Sequence, residues 1–244
     1  MLFACDGFPD TFASNKNKMN KVQSLAILAL GMLTLHSCSK DEIPTIAQNA
    51  NVLVTHASPD APAVDLLINN SKVNSAALTF PNNTGYLNVE AKTTNVKVNV
   101  AGTSTSVINA DLVLEQGKSY SIFAVDSVSK IAPLVLSDDL TAPAAGKAHV
   151  RFVHLSPNAP AVDVALAGGG AVVFGNKAFK EFTAFTPLDA GVYNLEVRVA
   201  GTSTVALTLP PITLVNGKIY TVFARGFLGG TGAQELNAQI ISNN

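Results

Sequence analysis

Two ten-residue stretches each bring a histidine, a serine and an aspartate close together in sequence. The first is His56-Ala57-Ser58-Pro59-Asp60-Ala61-Pro62-Ala63-Val64-Asp65. The second is His154-Leu155-Ser156-Pro157-Asn158-Ala159-Pro160-Ala161-Val162-Asp163. These residue types can perform acyl transfer when the histidine activates the serine and the aspartate orients the histidine. The spacing here speaks against it. Each serine precedes a proline inside a turn, with no strand-turn-helix elbow to expose its hydroxyl and no glycine-lined hole for an oxyanion. A metal centre fares no better, because each copy offers fewer ligands than the three or four a site needs. Two histidines a domain apart cannot share one ion. The sequence therefore predicts no catalytic set, no metal and no cofactor.

A structural corner accounts for the same residues. Val52, Val54 and His56 share one face of a strand, as do Val150, Phe152 and His154. Each histidine should close a core at the end of its strand, where an unpartnered imidazole would cost about 1–3 kcal/mol. Asp65 and Asp163 are candidate partners. Alternation argues otherwise, since Val64, Leu66 and Ile68 should point inward and Asp65 outward, unless a bulge intervenes. The alternative is that each aspartate, with Ser58 or Ser156, accepts from free backbone N–H groups of the turn. Pro59, Pro62, Pro157 and Pro160 fix φ and keep the corner from pairing as a further strand. His149 and Arg151 are expected at a solvated strand start. Gly168-Gly169-Gly170 and Gly229-Gly230-Thr231-Gly232 are expected to be loops, and with no helix following, neither cradles a phosphate. Asp126-Ser127-Val128 resembles a bacterial O-glycosylation sequence.

The corner is one of three landmarks that recur in order. Val100-Ala101-Gly102-Thr103-Ser104-Thr105 returns as Val199-Ala200-Gly201-Thr202-Ser203-Thr204. Gly117-Lys118-Ser119-Tyr120-Ser121-Ile122-Phe123-Ala124 returns as Gly217-Lys218-Ile219-Tyr220-Thr221-Val222-Phe223-Ala224. A tandem duplication follows. In the first copy, period-2 alternation predicts strands near 50–56, 63–69, 85–91, 95–101, 105–115, 119–126 and 131–137. About seven short strands per copy, separated by turns, is the pattern of an immunoglobulin-like β-sandwich. Tyr120 and Tyr220 each follow a Gly-Lys turn and resemble a tyrosine corner, whose hydroxyl bonds to nearby backbone. The fold class is all-β, with two tandem immunoglobulin-like sandwiches at 49–140 and 148–244. The linker 141–147 reaches at most ~25 Å, which places the sandwiches as close neighbours, end to end.

The N-terminal part is of another kind. Residues 1–18 lack periodicity and are treated as an upstream extension. Met19-Asn20-Lys21 precedes an apolar stretch, Leu25 to Leu35, of about eleven residues, too short to span a bilayer but suited to the core of an export signal. The signal, 19–37, ends in Leu35-His36-Ser37-Cys38, which resembles the lipobox of bacterial lipoproteins. That resemblance implies lipidation of Cys38 and a membrane held through acyl chains, each buried CH₂ contributing ~0.8 kcal/mol. Ser39-Lys40-Asp41-Glu42 resembles a signal for export to the outer face of the outer membrane. Residues 38–48 then form the lipidated cysteine and a flexible tether.

Composition narrows the partners. The net charge is −1 with no basic stripe, which argues against nucleic acid. Cys5 and Cys38, the two cysteines, lie outside the expected folded region and predict no disulfide framework. The corner, the Val-Ala-Gly-Thr hairpin and the Gly-Lys-x-Tyr strand together resemble the bacterial family called domain of unknown function 4397, over most of residues 49–241. The resemblance implies exported, often tandem, immunoglobulin-like domains on bacterial envelopes, and carries no activity over to any residue. The expected function is a lipid-anchored outer-membrane protein presenting two β-sandwiches for binding, adhesion or spacing, with a protein or glycan ligand at the cell surface. A glycan-binding accessory protein is the alternative. It would lack the usual platforms, since the chain has no tryptophan and four tyrosines, two of them placed in corners. An envelope hydrolase, using Ser156 and His154, is a third class.

Overall fold

A computed structural model describes residues 48–244. The extension 1–18, the signal peptide 19–37, Cys38 and the tether up to residue 47 lie outside the described residues. Among the described residues no helix is long and apolar enough to cross a membrane.

Alternation becomes sheet directly. Val96 and Val98 enter a core while Asn95 and Lys97, alternating with them, face outward. The first copy contains β1 (Asn49–His56), β2 (Val64–Ile68), β3 (Ser71–Lys72), β4 (Asn83–Glu90), β5 (Thr93–Val100), β6 (Ser106–Val113), β7 (Ser119–Val125) and β8 (Ala132–Asp138). Only the short β3 has no counterpart in the sequence expectation. The strands form two sheets, ordered β4-β1-β7-β8 and β3-β2-β5-β6. Val52, Val54, Leu66, Val98, Ile108 and Ile122 pack between them.

The second copy repeats the plan. Its strands are β9 (Lys147–His154), β10 (Val162–Leu166), β11 (Val172–Lys177), β12 (Thr186–Asp189), β13 (Gly191–Tyr193), β14 (Leu195–Val199), β15 (Val205–Thr208), β16 (Ile212–Leu214), β17 (Ile219–Arg225) and β18 (Asn237–Ser242). The sheets are β12-β9-β17-β18 and β11-β10-β14-β15, with β13 and β16 as a separate ribbon. Val150, Phe152, Val164, Phe174, Val197 and Val222 fill this core. Both tyrosine corners are present. The Tyr120 hydroxyl accepts from the Glu115 N–H at 3.2 Å, and Tyr220 from the Val215 N–H at 3.3 Å.

The sandwiches do not stand end to end as expected. The sheets β4-β1-β7-β8 and β12-β9-β17-β18 press together through the faces that point away from their own cores. Leu53, Phe123, Val125 and Leu136 meet Val153, Leu155, Phe223 and Ile241 in a third apolar layer. The unit is thus four sheets deep. The reason is in the strands: end-to-end stacking would leave Phe123 and Phe223 in water, whereas both are fully buried. Their rings meet edge to face with centroids 5.9 Å apart, the arrangement aromatic quadrupoles favour. They are the same position in the two copies, so a pseudo-twofold axis passes between them.

This layer also holds a charge. Arg151, expected at a solvated strand start, is 2% exposed. The strand β9 is covered on both faces, so the side chain that should meet water meets the other sandwich. Its guanidinium donates to Asp138 at 2.8 Å, to Ser121 at 3.1 Å and to Thr221 at 2.9 Å. It also lies 4.4 Å from the Phe185 ring centroid. Asp138 accepts in addition from Tyr86 at 2.5 Å and Ser121 at 2.7 Å. Asn243 accepts from Thr221 and donates to Tyr86. Burial and the neighbouring Asp138 carboxylate raise the Tyr86 hydroxyl well above its ordinary pKa, so it stays a donor.

Candidate functional site

β1 and β9 both run toward a proline corner. Each ends in a histidine whose N–H is engaged, as is that of the residue after it: the His56 N–H donates to Asn82 O and the next residue, Ala57, to Ala124 O. The matching bonds in the second copy are His154 N–H to Glu181 O and Leu155 N–H to Ala224 O. The chain then leaves the sheet until Val64 or Val162 starts the next strand.

The imidazoles are buried, at 1% exposure for His56 and 0% for His154. His56 Nε2 bonds the Pro62 carbonyl at 3.0 Å, and His154 Nε2 bonds Pro160 at 3.0 Å. A carbonyl can only accept, so Nε2 carries the proton in both. In the second copy Nδ1 accepts from the Ser156 N–H at 3.3 Å, which requires a neutral ring. Burial pushes both histidines below their ordinary pKa. The ring thus spans its own turn and ties the strand end to the second proline.

The aspartates reach further than the sequence suggested. Neither pairs with its histidine, and neither takes its N–H from its own corner. Asp65 Oδ2 accepts from the Gly102 N–H at 3.0 Å, and Asp163 Oδ2 from Gly201 at 2.9 Å. These glycines turn the Val-Ala-Gly-Thr hairpins at φ of 73° and 71°, a conformation glycine adopts without strain. The corner and the hairpin, two separate landmarks in the sequence, are therefore one assembly. Asp65 also bonds Lys72 at 2.8 Å, while Asp163 accepts from the Asn176 N–H at 2.6 Å. The Gly102 N–H, with Lys72, holds the Asp65 carboxyl below its usual pKa.

The remaining corner residues lie close by. Ser156 Oγ donates to the Gly226 carbonyl at 2.6 Å. Ser58 is equally buried, without the matching bond. Pro62 and Pro160 are exposed, and Pro59 and Pro157 fill the bend. At the tips, Asp60 accepts from the Val128 N–H and Asn158 from the Leu228 N–H, each at 2.8 Å. Sequence reasoning passed over Asp60 and Asn158, although both are short acceptors directly after the Ser-Pro pair of each corner, a place where such side chains bond loop backbone.

Both corners lie at one end of the unit. Lys180, whose N–H bonds His154 O, pairs with Asp126 at 3.5 Å, just past β7. Arg225, the last residue of β17, lies 5.4 Å from the Phe80 ring centroid beside His56. The chain enters at the other end, where Asn49 opens β1. An open groove of about 650 Å³ at that end is lined by Gly117, Lys118, Ser119, Asp138, Asp139 and Thr141, and contains no corner residue. Among the described residues no group of three or more His, Cys, Asp or Glu is placed to hold a metal. Both serine hydroxyls are buried, and that of Ser156 is spent on the Gly226 carbonyl.

Because both imidazoles are neutral and depressed, stability should depend on pH with a definite sign. Above about pH 6.5 the folded and unfolded histidines are both neutral and stability is full. As pH falls below that, the unfolded chain takes up protons first, so stability declines until the folded pKa is passed. Thermal melts from pH 8 to 5 should show this decline, and the dependence should shrink in His154→Gln. A flat wild-type profile would contradict the assignment.

Two solved structures resemble the chain weakly. The C-terminal domain of AlgF from P. aeruginosa is 22% identical, covering 40% of this chain and 98% of that one, with a TM-score of 0.31. A carbohydrate-binding module of family CBM26 from Eubacterium rectale Amy13K, solved with maltoheptaose, is 10% identical, covering 78% and 96%, with a TM-score of 0.27. No curated protein matches the chain. The family model of the Domain of unknown function (DUF4397) matches residues 50–165 and again 166–244. With both copies of the corner, the hairpin and the tyrosine strand inside these spans, the chain belongs to the DUF4397 family.

Proposed function

We propose that the chain is a lipid-anchored protein of the outer membrane that holds two β-sandwiches away from the bilayer as a binding module and performs no catalysis. The observation that carries this reading is the polarity of the unit. β1 begins at Asn49, next to the tether, and both rigid corners stand at the far end of the strands, about 25 Å away for an eight-residue strand. Loops fixed by side-chain bonds at that end lose little freedom on binding, which favours affinity. A chain anchored at Cys38 would present those loops outward.

Labelling with radioactive palmitate tests the anchor. Wild type should incorporate label and partition with membranes, and Cys38→Ala should lose both. Equal labelling of the two would remove the anchor from the reading.

A glycan ligand is the second reading. It is favoured by the outer face of β3-β2-β5-β6, where Asn95 donates to Asn109 at 2.9 Å and Asp111 at 2.7 Å, and Lys97 donates to Asn70. A flat row of amides offers donors and acceptors to hydroxyl groups. Binding of the full chain to an array of polysaccharides, reduced by Asn109→Ala, supports it; no binding across the array rejects it.

A further inference from the structure

We propose that Arg151 and Asp138 act as a guard that lets the two sandwiches pair with each other and prevents like sandwiches of different chains from pairing. The two sandwiches meet across a pseudo-twofold axis, face to like face. An interface of this kind is self-complementary in outline, so each sandwich could in principle mate with its own kind. Phe123 facing Phe223 puts one pair of equivalent residues in contact across it, and Leu136 and Ile241 are a second equivalent pair in the same apolar layer.

The polar residues break the match. In the strand registers Leu53 stands opposite Ser121, and Arg151 opposite Thr221. Leu53 is therefore the first copy's counterpart of Arg151. Asp138 stands opposite Ser119, and Asn243 donates its N–H to Ile219 O. Asn243 is therefore the second copy's counterpart of Asp138. The first sandwich carries a carboxylate and no guanidinium at these positions, and the second the reverse.

Each pairing then has a different outcome. First with second joins Arg151 to Asp138 at 2.8 Å, with both side chains out of solvent. First with first sets each Asp138 against a leucine, leaving two buried carboxylates without a cation. Second with second sets each Arg151 against an asparagine, leaving two buried guanidinium groups without an anion. Removing the partner of a buried ion is strongly destabilising, because the remaining charge has lost its water and gained nothing. The like pairings matter because a chain with two such faces would link to a new neighbour at each face and grow without closing. Discrimination of this sort rests on what is penalised as much as on what is gained.

Two variants test the guard in the full chain, each also carrying Cys38→Ala to keep it free of lipid. R151L/D138N gives both sandwiches the same uncharged set. L53R/N243D gives both sandwiches the same charged pair, so that like pairing becomes matched. Each is refolded from urea at high protein concentration and sized by light scattering. Wild type should be monomeric. At least one of the two variants should convert largely into dimers and longer chains. R151D/D138R, which reverses the pair but keeps the sandwiches unlike, should stay monomeric. If neither R151L/D138N nor L53R/N243D associates, or if R151D/D138R associates as they do, the proposal is wrong.

Discussion

Asp138→Ala is expected to lower stability by about 3–5 kcal/mol, because it leaves a buried guanidinium uncompensated. Three donors converge on this carboxylate: Arg151, Tyr86 and Ser121. After the substitution Arg151 retains the neutral hydroxyls of Ser121 and Thr221, and the Tyr86 hydroxyl loses its acceptor. At about 2–4 °C per kcal/mol for a chain of this size, the midpoint of thermal unfolding should fall by about 10 °C. Asp138→Asn keeps an acceptor oxygen and should lose less. A loss under about 1 kcal/mol would place the pair in the class of exposed ion pairs and refute its burial.

Phe223→Ala should cost about 3–5 kcal/mol through lost burial and the cavity left behind. The ring lies beside the pseudo-twofold axis in the apolar layer between the sandwiches, so its loss weakens that layer and leaves the two inner cores intact. Phe123→Ala should cost a similar amount. The double variant should cost less than the two single losses combined, by about 0.5–1.5 kcal/mol, because each ring is the other's edge-to-face partner. Urea titrations of the four proteins supply the cycle. Simple additivity would mean that the rings do not meet.

How far the sequence could be read depends on which faces are wet. β5 was legible because Asn95 and Lys97 alternate with Val96 and Val98, one side facing solvent and one the core. The corners were legible from their prolines, and the tyrosine corners from the Gly-Lys turn. The middle layer was missed. Alternation assigns Arg151 to water because Val150 and Phe152 take the core. A signal was nonetheless present: Ile122-Phe123-Ala124-Val125 and Val222-Phe223-Ala224 are apolar at both parities, as in strands covered on both faces. The parallel pairing of β1 with β7 leaves no local mark, because the partners are far apart in sequence. At the site, the histidine bond to Pro62 or Pro160 is local, while the aspartate bond to Gly102 or Gly201 spans 37 or 38 residues. Nothing in the corner alone announces it.

The place of β1 within its sheet has a mechanical side. It lies between β4 and β7, bonded to both along its length, and the chain enters at its first residue. A pull applied at Asn49 along β1 would act along the strand, at right angles to the antiparallel ladder bonds on its β4 side. Those bonds would share the load in shear instead of opening one at a time from an end. Built this way, the first sandwich would yield to tension only when the whole strand slid at once.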